Sequence, residues 1–217
     1  TDRLGSQVLS LSGSDAASTQ ALADASERFN AANSALSTAQ SVKQAQLARE
    51  SALEGLYYVN AARELMGMPA GPALPELEGQ RRAGRVTEER TVRQEDGTTV
   101  TASPHASAAT PHYYPGGAVA GRPVPAGWYS TAWWGPAMMT GMWAASSMMF
   151  YSAMFAGMAG TPSAGEFGAG DFAAGDAGDM GGDFDAGDVG DTAGGDVGGG
   201  LFDGGGFDFG DFGGFDL

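Results

Sequence analysis

Residues Trp133–Gly160 read WWGPAMMTGMWAASSMMFYSAMFAGMAG, and no charged residue falls anywhere from Pro123 to Gly165. Pro136 is unsuited to a helix interior but fits a first turn, which predicts a helix from about Gly135 to Ala159. At about 1.5 Å rise per residue, such a helix is long enough for a hydrocarbon core of about 30 Å. Trp128, Tyr129, Trp133 and Trp134 stand at its start, where an aromatic belt would lie. Thr140, Ser146, Ser147 and Ser152 interrupt it, so the span is modest and needs helix neighbours. Small residues recur four apart, with Gly141–Ala145 and Ala153–Gly157 the clearest pairs, a spacing that lets membrane helices approach closely. The expectation is one transmembrane helix within residues 132–160, with the lipid bilayer and a self-associating or partner helix as its contacts.

Charge on either side orients that expected span. Of the net charge of −15, residues 1–122 carry 11 basic against 13 acidic residues, a net of −2. Residues 123–217 carry the other 13 acidic residues and no Lys or Arg, a net of −13. Basic segments stay on the cytoplasmic side, so residues 1–122 are expected in the cytoplasm and the acidic tail outside the cell membrane. A tail of that charge repels nucleic acid, which is not an expected partner.

Upstream, the pattern is helical. Leu4, Val8 and Leu11 keep helical spacing up to Gly13, and Ser14–Asp15 offers a new N-cap. Leu22, Ala25, Phe29, Ala32, Leu36 and Ala39 form a thin apolar stripe. Ser41 with Gln44 makes a capping-box pattern before Val42, Ala45, Ala48, Ala52, Leu56, Val59 and Ala62, and Gly67 and Pro69 supply a stop. Residues 1–66 are therefore expected to form an antiparallel helical hairpin of coiled-coil type. Its Ala stripes bury little area at about 25 cal/mol per Å², so it should lean on residues 2–12, on a missing N-terminal part or on another copy.

Residues 67–131 read as a Pro/Gly-rich linker with a small β-hairpin. Three prolines in residues 67–80 predict extended chain. Val86, Glu88, Arg90 and Val92 face one way in alternation, and Asp96–Gly97 is a tight-turn signal before Thr98–Thr101. The arginines there (Arg81, Arg82, Arg85, Arg90, Arg93) are nearly neutralised by Glu88, Glu89, Glu95 and Asp96. Residues 102–131 read as loop. Residues 161–217 form an acidic Gly/Asp/Phe tail, expected to be disordered because it cannot bury enough surface to offset its ordering entropy. The fold class is thus mainly α, with one hairpin of helices, one small β-hairpin, one membrane helix and a disordered tail.

Seven of the ten Met lie in the charge-free stretch. Met138 with Met142, and Met154 with Met158, would put thioethers one turn apart, a pairing that suits Cu(I). Copper transporters use a resembling MxxxM pattern in a membrane helix, though with several spans. Met as adaptable apolar filler is the plainer reading. There is no Cys, and His105 and His112 lie seven apart with no acidic residue nearby. No phosphate-binding loop, dinucleotide fingerprint, nucleophile elbow or HExxH pattern occurs, so no catalytic residue, no cofactor and no enzymatic activity is expected.

The segments ALEGLYYVNAAR, GQRRAGRVTEE and YYPGGAVAGRPVPAGWYS resemble a family of actinobacterial membrane proteins of unknown function with Gly-rich C-terminal tails. The resemblance spans roughly residues 40–160 and implies further membrane segments upstream, with Thr1 lying inside a longer protein. The function expected is that of a membrane-anchored structural or interaction protein at the cell envelope. The alternatives are a copper-handling or transport-associated subunit, or the C-terminal part of an envelope enzyme whose active site lies upstream.

Overall fold

A computed structural model describes residues 1–69, 71–94 and 96–169. The first helix, α1 (Asp2–Ser10), precedes two long ones, α2 (Ala16–Thr38) and α3 (Val42–Leu65). Capping sets their boundaries. Asp15 accepts from the Ser18 backbone N–H at 2.7 Å, and Ser41 from that of Gln44 at 3.2 Å. In both cases the third residue of the helix reaches back to the cap backbone, which satisfies two otherwise orphaned donors. The helices fold back on each other along Ala25, Ala32, Ala52 and Leu56. Small side chains alone would leave this seam thin, and α1 thickens it. Leu4 is 1% exposed and sits over Gly55, where a Cβ would stand 2.5 Å from Leu4 Cδ2.

Beyond an extended segment and the short α4 (Glu78–Ala83), the chain forms strands. β1 (Arg90–Arg93) and β2 (Thr99–Ser103) pair antiparallel across the Asp96–Gly97 turn. Asp96 stabilises that turn by accepting from the Thr98 backbone and hydroxyl. The hairpin is not isolated. With β3 (His112–Tyr114) and β6 (Gly127–Tyr129) it makes a four-stranded antiparallel sheet in the order β1-β2-β6-β3. β4 (Gly117–Val119) and β5 (Arg122–Val124) form a separate two-stranded hairpin. Residues 102–131, expected as loop, therefore supply four strands. Each is only three residues long, too short to show an alternating pattern in the sequence.

The membrane helix expected over residues 132–160 does not form. The stretch divides into α5 (Gly135–Thr140) and α6 (Ser147–Phe155), and no described helix is long and apolar enough to cross a membrane. Two glycines break it, because both adopt left-handed backbone: Gly141 with φ 69° ends α5, and Gly157 with φ 78° follows α6. The Thr140 hydroxyl reinforces the first break by donating to the Pro136 carbonyl and accepting from the Met142 N–H. The aromatic residues expected at a lipid interface are instead interior. Trp128, Tyr129 and Trp134 are buried, and Tyr129 and Trp134 share one core with Phe150, Tyr151, Met154 and Phe155. That core is closed by Phe167 of α7 (Ala164–Ala169), in a part of the sequence expected to be disordered. Phe167 stacks on Tyr151 at 4.1 Å, with the Arg122 guanidinium 5.0 Å from its ring centre. The rest of the tail lies outside the described residues.

Two stability effects follow. Leu4→Ala removes the side chain that seats α1 and should cost about 2–5 kcal/mol, read from urea unfolding. Ala120 and Gly121 make the two-residue turn between β4 and β5 with φ of 44° and 75°. Asn tolerates that geometry better than Ala, so Ala120→Asn should stabilise by about 0.5–1 kcal/mol in the same assay.

Candidate interaction site on the α5–α6 face

Pro136 at the start of α5 and the break at Gly141 throw residues 141–146 across the end of β1. Trp143 pins this segment: its Nε1–H donates to the Val119 carbonyl at 2.8 Å, tying it to the β4–β5 hairpin. α6 then buries Phe150, Tyr151, Met154 and Phe155 on one stripe, which turns Met148 and Met149 outward. On the sheet side, the Arg90 guanidinium donates to the carbonyls of Met154 and Ala156 and pairs with Glu88.

Between the end of β1, α5 and α6 lies a pocket of about 300 Å³. Its walls are aromatic and interlocked: Trp133 lies 5.4 Å from Trp143 and 5.0 Å from Phe150, ring centre to ring centre. Met142 and Met149 line it from exposed positions. Among the described residues lining it, Arg93 alone is charged, beside Gln94 and the serines 146 and 147 that begin α6. The buried Nε1–H of Trp133 has no acceptor. Such a volume stands at the small end of the ligand-pocket range, about 300–1,000 Å³, and suits one or two side chains better than a large cofactor.

Perturbed titratable groups gather elsewhere, where the helical hairpin meets the sheet. Arg28 and Glu54 face each other at 3.6 Å, and Tyr58 meets Tyr113 edge-on at 6.0 Å. Burial pushes the Glu54 carboxyl above its ordinary range, with Arg28 opposing the shift. Burial likewise raises Asp24, against the hydrogen bond it accepts from Gln20 at 2.9 Å. Both carboxylates thus have partners on the helical hairpin itself.

The residues singled out from the sequence are dispersed. Met154 and Met158 are core side chains at 0% and 5% exposure, whereas Met138 and Met142 are exposed. Gly141 separates Met138 from Met142, and Gly157 separates Met154 from Met158, so neither pair keeps helical spacing. Gly141 and Gly157 end helices, and Ala145 lies between α5 and α6, so these residues and Ala153 do not share a helix face. His105 and His112 are exposed. Among the described residues no group of three or more His, Asp or Glu is placed to hold a metal ion. Sequence reading missed Arg93 and Trp143, because only the split of the helix brings them to one pocket.

Asp24→Asn tests the joint. The folded state raises this carboxyl's pKa, so the penalty on its charge is present above the folded pKa and absent below the unfolded one, about 3.9. The melting temperature of the variant should exceed that of the parent at pH 8, with the difference vanishing toward pH 3.5. The chain matches no protein-family model, no curated protein and no solved structure.

Proposed function

We propose that this chain is a non-catalytic interaction module that takes an apolar segment of a partner protein on the α5–α6 face. One observation carries the reading. Nine large apolar side chains are exposed among the described residues, and five of them are Met138, Met139, Met142, Met148 and Met149. Single apolar residues scattered over a surface are ordinary, whereas these five all lie on α5, α6 and the turn between them. Methionine suits such a site because its unbranched thioether adapts to the partner. The absence of charge from Pro123 to Gly165 is in keeping with a face that is desolvated on binding.

A second reading is favoured by the same uncharged surface: peripheral contact with a neutral bilayer, which would keep the protein at a membrane without a span. Peroxide footprinting separates the two. In cells expressing the chain, Met139, Met142 and Met149 should oxidise about fivefold or more slowly than in the purified protein, with Met68 little changed. Equal rates in both settings would remove the interaction reading. Protection of the purified chain by phosphatidylcholine vesicles alone would favour the bilayer.

A further inference from the structure

Resting on that reading, the geometry points to the partner's chemistry: a peptide segment that inserts a large apolar side chain into the 300 Å³ pocket and sets a neighbouring carboxylate on Arg93. The apolar half follows from the walls. Trp133, Trp143 and Phe150 are locked by mutual ring contacts and by the Trp143–Val119 hydrogen bond, so the floor is preformed. Preformed aromatic pockets with adaptable rims are where interfaces place their anchor side chains.

The acidic half follows from charge. No carboxylate lines the pocket among the described residues, and Arg93 alone among its lining is charged. Among the described charges of the β1–β2 hairpin, Arg90 is engaged by Glu88 and two carbonyls, and the Asp96 carboxylate is held in the turn by accepting from Thr98. Arg93 is exposed on β1 at the pocket edge. The start of α6 adds the same polarity. Its N-cap, Ser146, makes no side-chain capping bond, and Ser146 and Ser147 both line the pocket. A helix start favours negative charge, as does an arginine beside it. A basic occupant would meet Arg93 as a like charge.

The test uses the full chain and three blocked seven-residue peptides: Gly-Asp-Phe-Gly-Asp-Phe-Gly, the same with Lys for Asp, and the same with Ala for Phe. Binding is read by calorimetry and by tryptophan fluorescence. The Asp/Phe peptide should bind at least tenfold tighter than either control, and more weakly as salt rises. Arg93→Gln should lose that tenfold preference, and Arg93→Glu should reverse it toward the Lys peptide. Arg93 is exposed, so circular dichroism should stay unchanged in both variants.

Equal binding of the Asp and Lys peptides would overturn the acidic assignment while leaving an apolar contact face intact. Failure of all three peptides would overturn the inference, and so would preference for phosphatidylcholine vesicles. Concentration-dependent dimerisation abolished by Met149→Asp would also overturn it, in favour of a second copy. Failure of the interaction reading itself is seen separately, as unprotected methionines in cells.

Discussion

Tyr129 is fully buried on the inner strand β6, and the α5–α6 layer is packed on its ring. Trp134 meets it at 5.0 Å, Trp133 at 6.2 Å and Phe155 at 6.5 Å, all edge-on. Each such pair adds about 0.5–1.5 kcal/mol beyond the area it buries. Its hydroxyl, which would be costly without a partner, donates to the Pro125 carbonyl at 2.7 Å. One strand residue thus holds the beginning of α5, the end of α6 and the approach to its own strand. These ring contacts act together with the Trp143–Val119 hydrogen bond and those from Arg90 to Met154 and Ala156 to hold the charge-free stretch against the strands.

Packing the aromatics inward leaves the methionines outside. The stripe of α6 that faces the sheet takes Phe150, Tyr151, Met154 and Phe155, and the remaining positions inherit Met148 and Met149. The break at Gly141 does the same for α5, whose buried position is Ala137. The surface that results has a stiff aromatic floor and a soft rim, a division that separates where a contact is placed from how it adapts. The uncharged composition that suggested a bilayer is equally the composition of such a face.

The helical hairpin is a separate cluster, joined to the sheet through Tyr58, Tyr113 and Leu74. Here the carboxylates of Asp24 and Glu54 are held against desolvation by Gln20 and Arg28. Such partly buried groups are weak as sources of stability but costly to break; Gln20–Asp24 lies within α2 and Arg28–Glu54 ties α2 to α3, so they fix the hairpin itself. The glycine at 55 serves the other side of the hairpin by admitting Leu4.

The sequence by itself determined several features that depend on neighbours a few residues away. Asp15 and Ser41 cap helices, the stop follows Leu65, Asp96–Gly97 turns a hairpin, and Pro136 opens a helix, because each rests on local hydrogen bonding or a local dihedral. Tertiary structure alone decided the fate of the charge-free stretch. Hydropathy measures how readily a segment leaves water, and it does not say whether lipid or protein receives it. Part of the receiving surface came from three-residue strands, β3 to β6, too short to leave a period in the sequence, and Phe167 closes it from a segment whose composition argues for disorder. Arg93 and Trp143 are fifty residues apart and meet at one pocket only because that sheet exists.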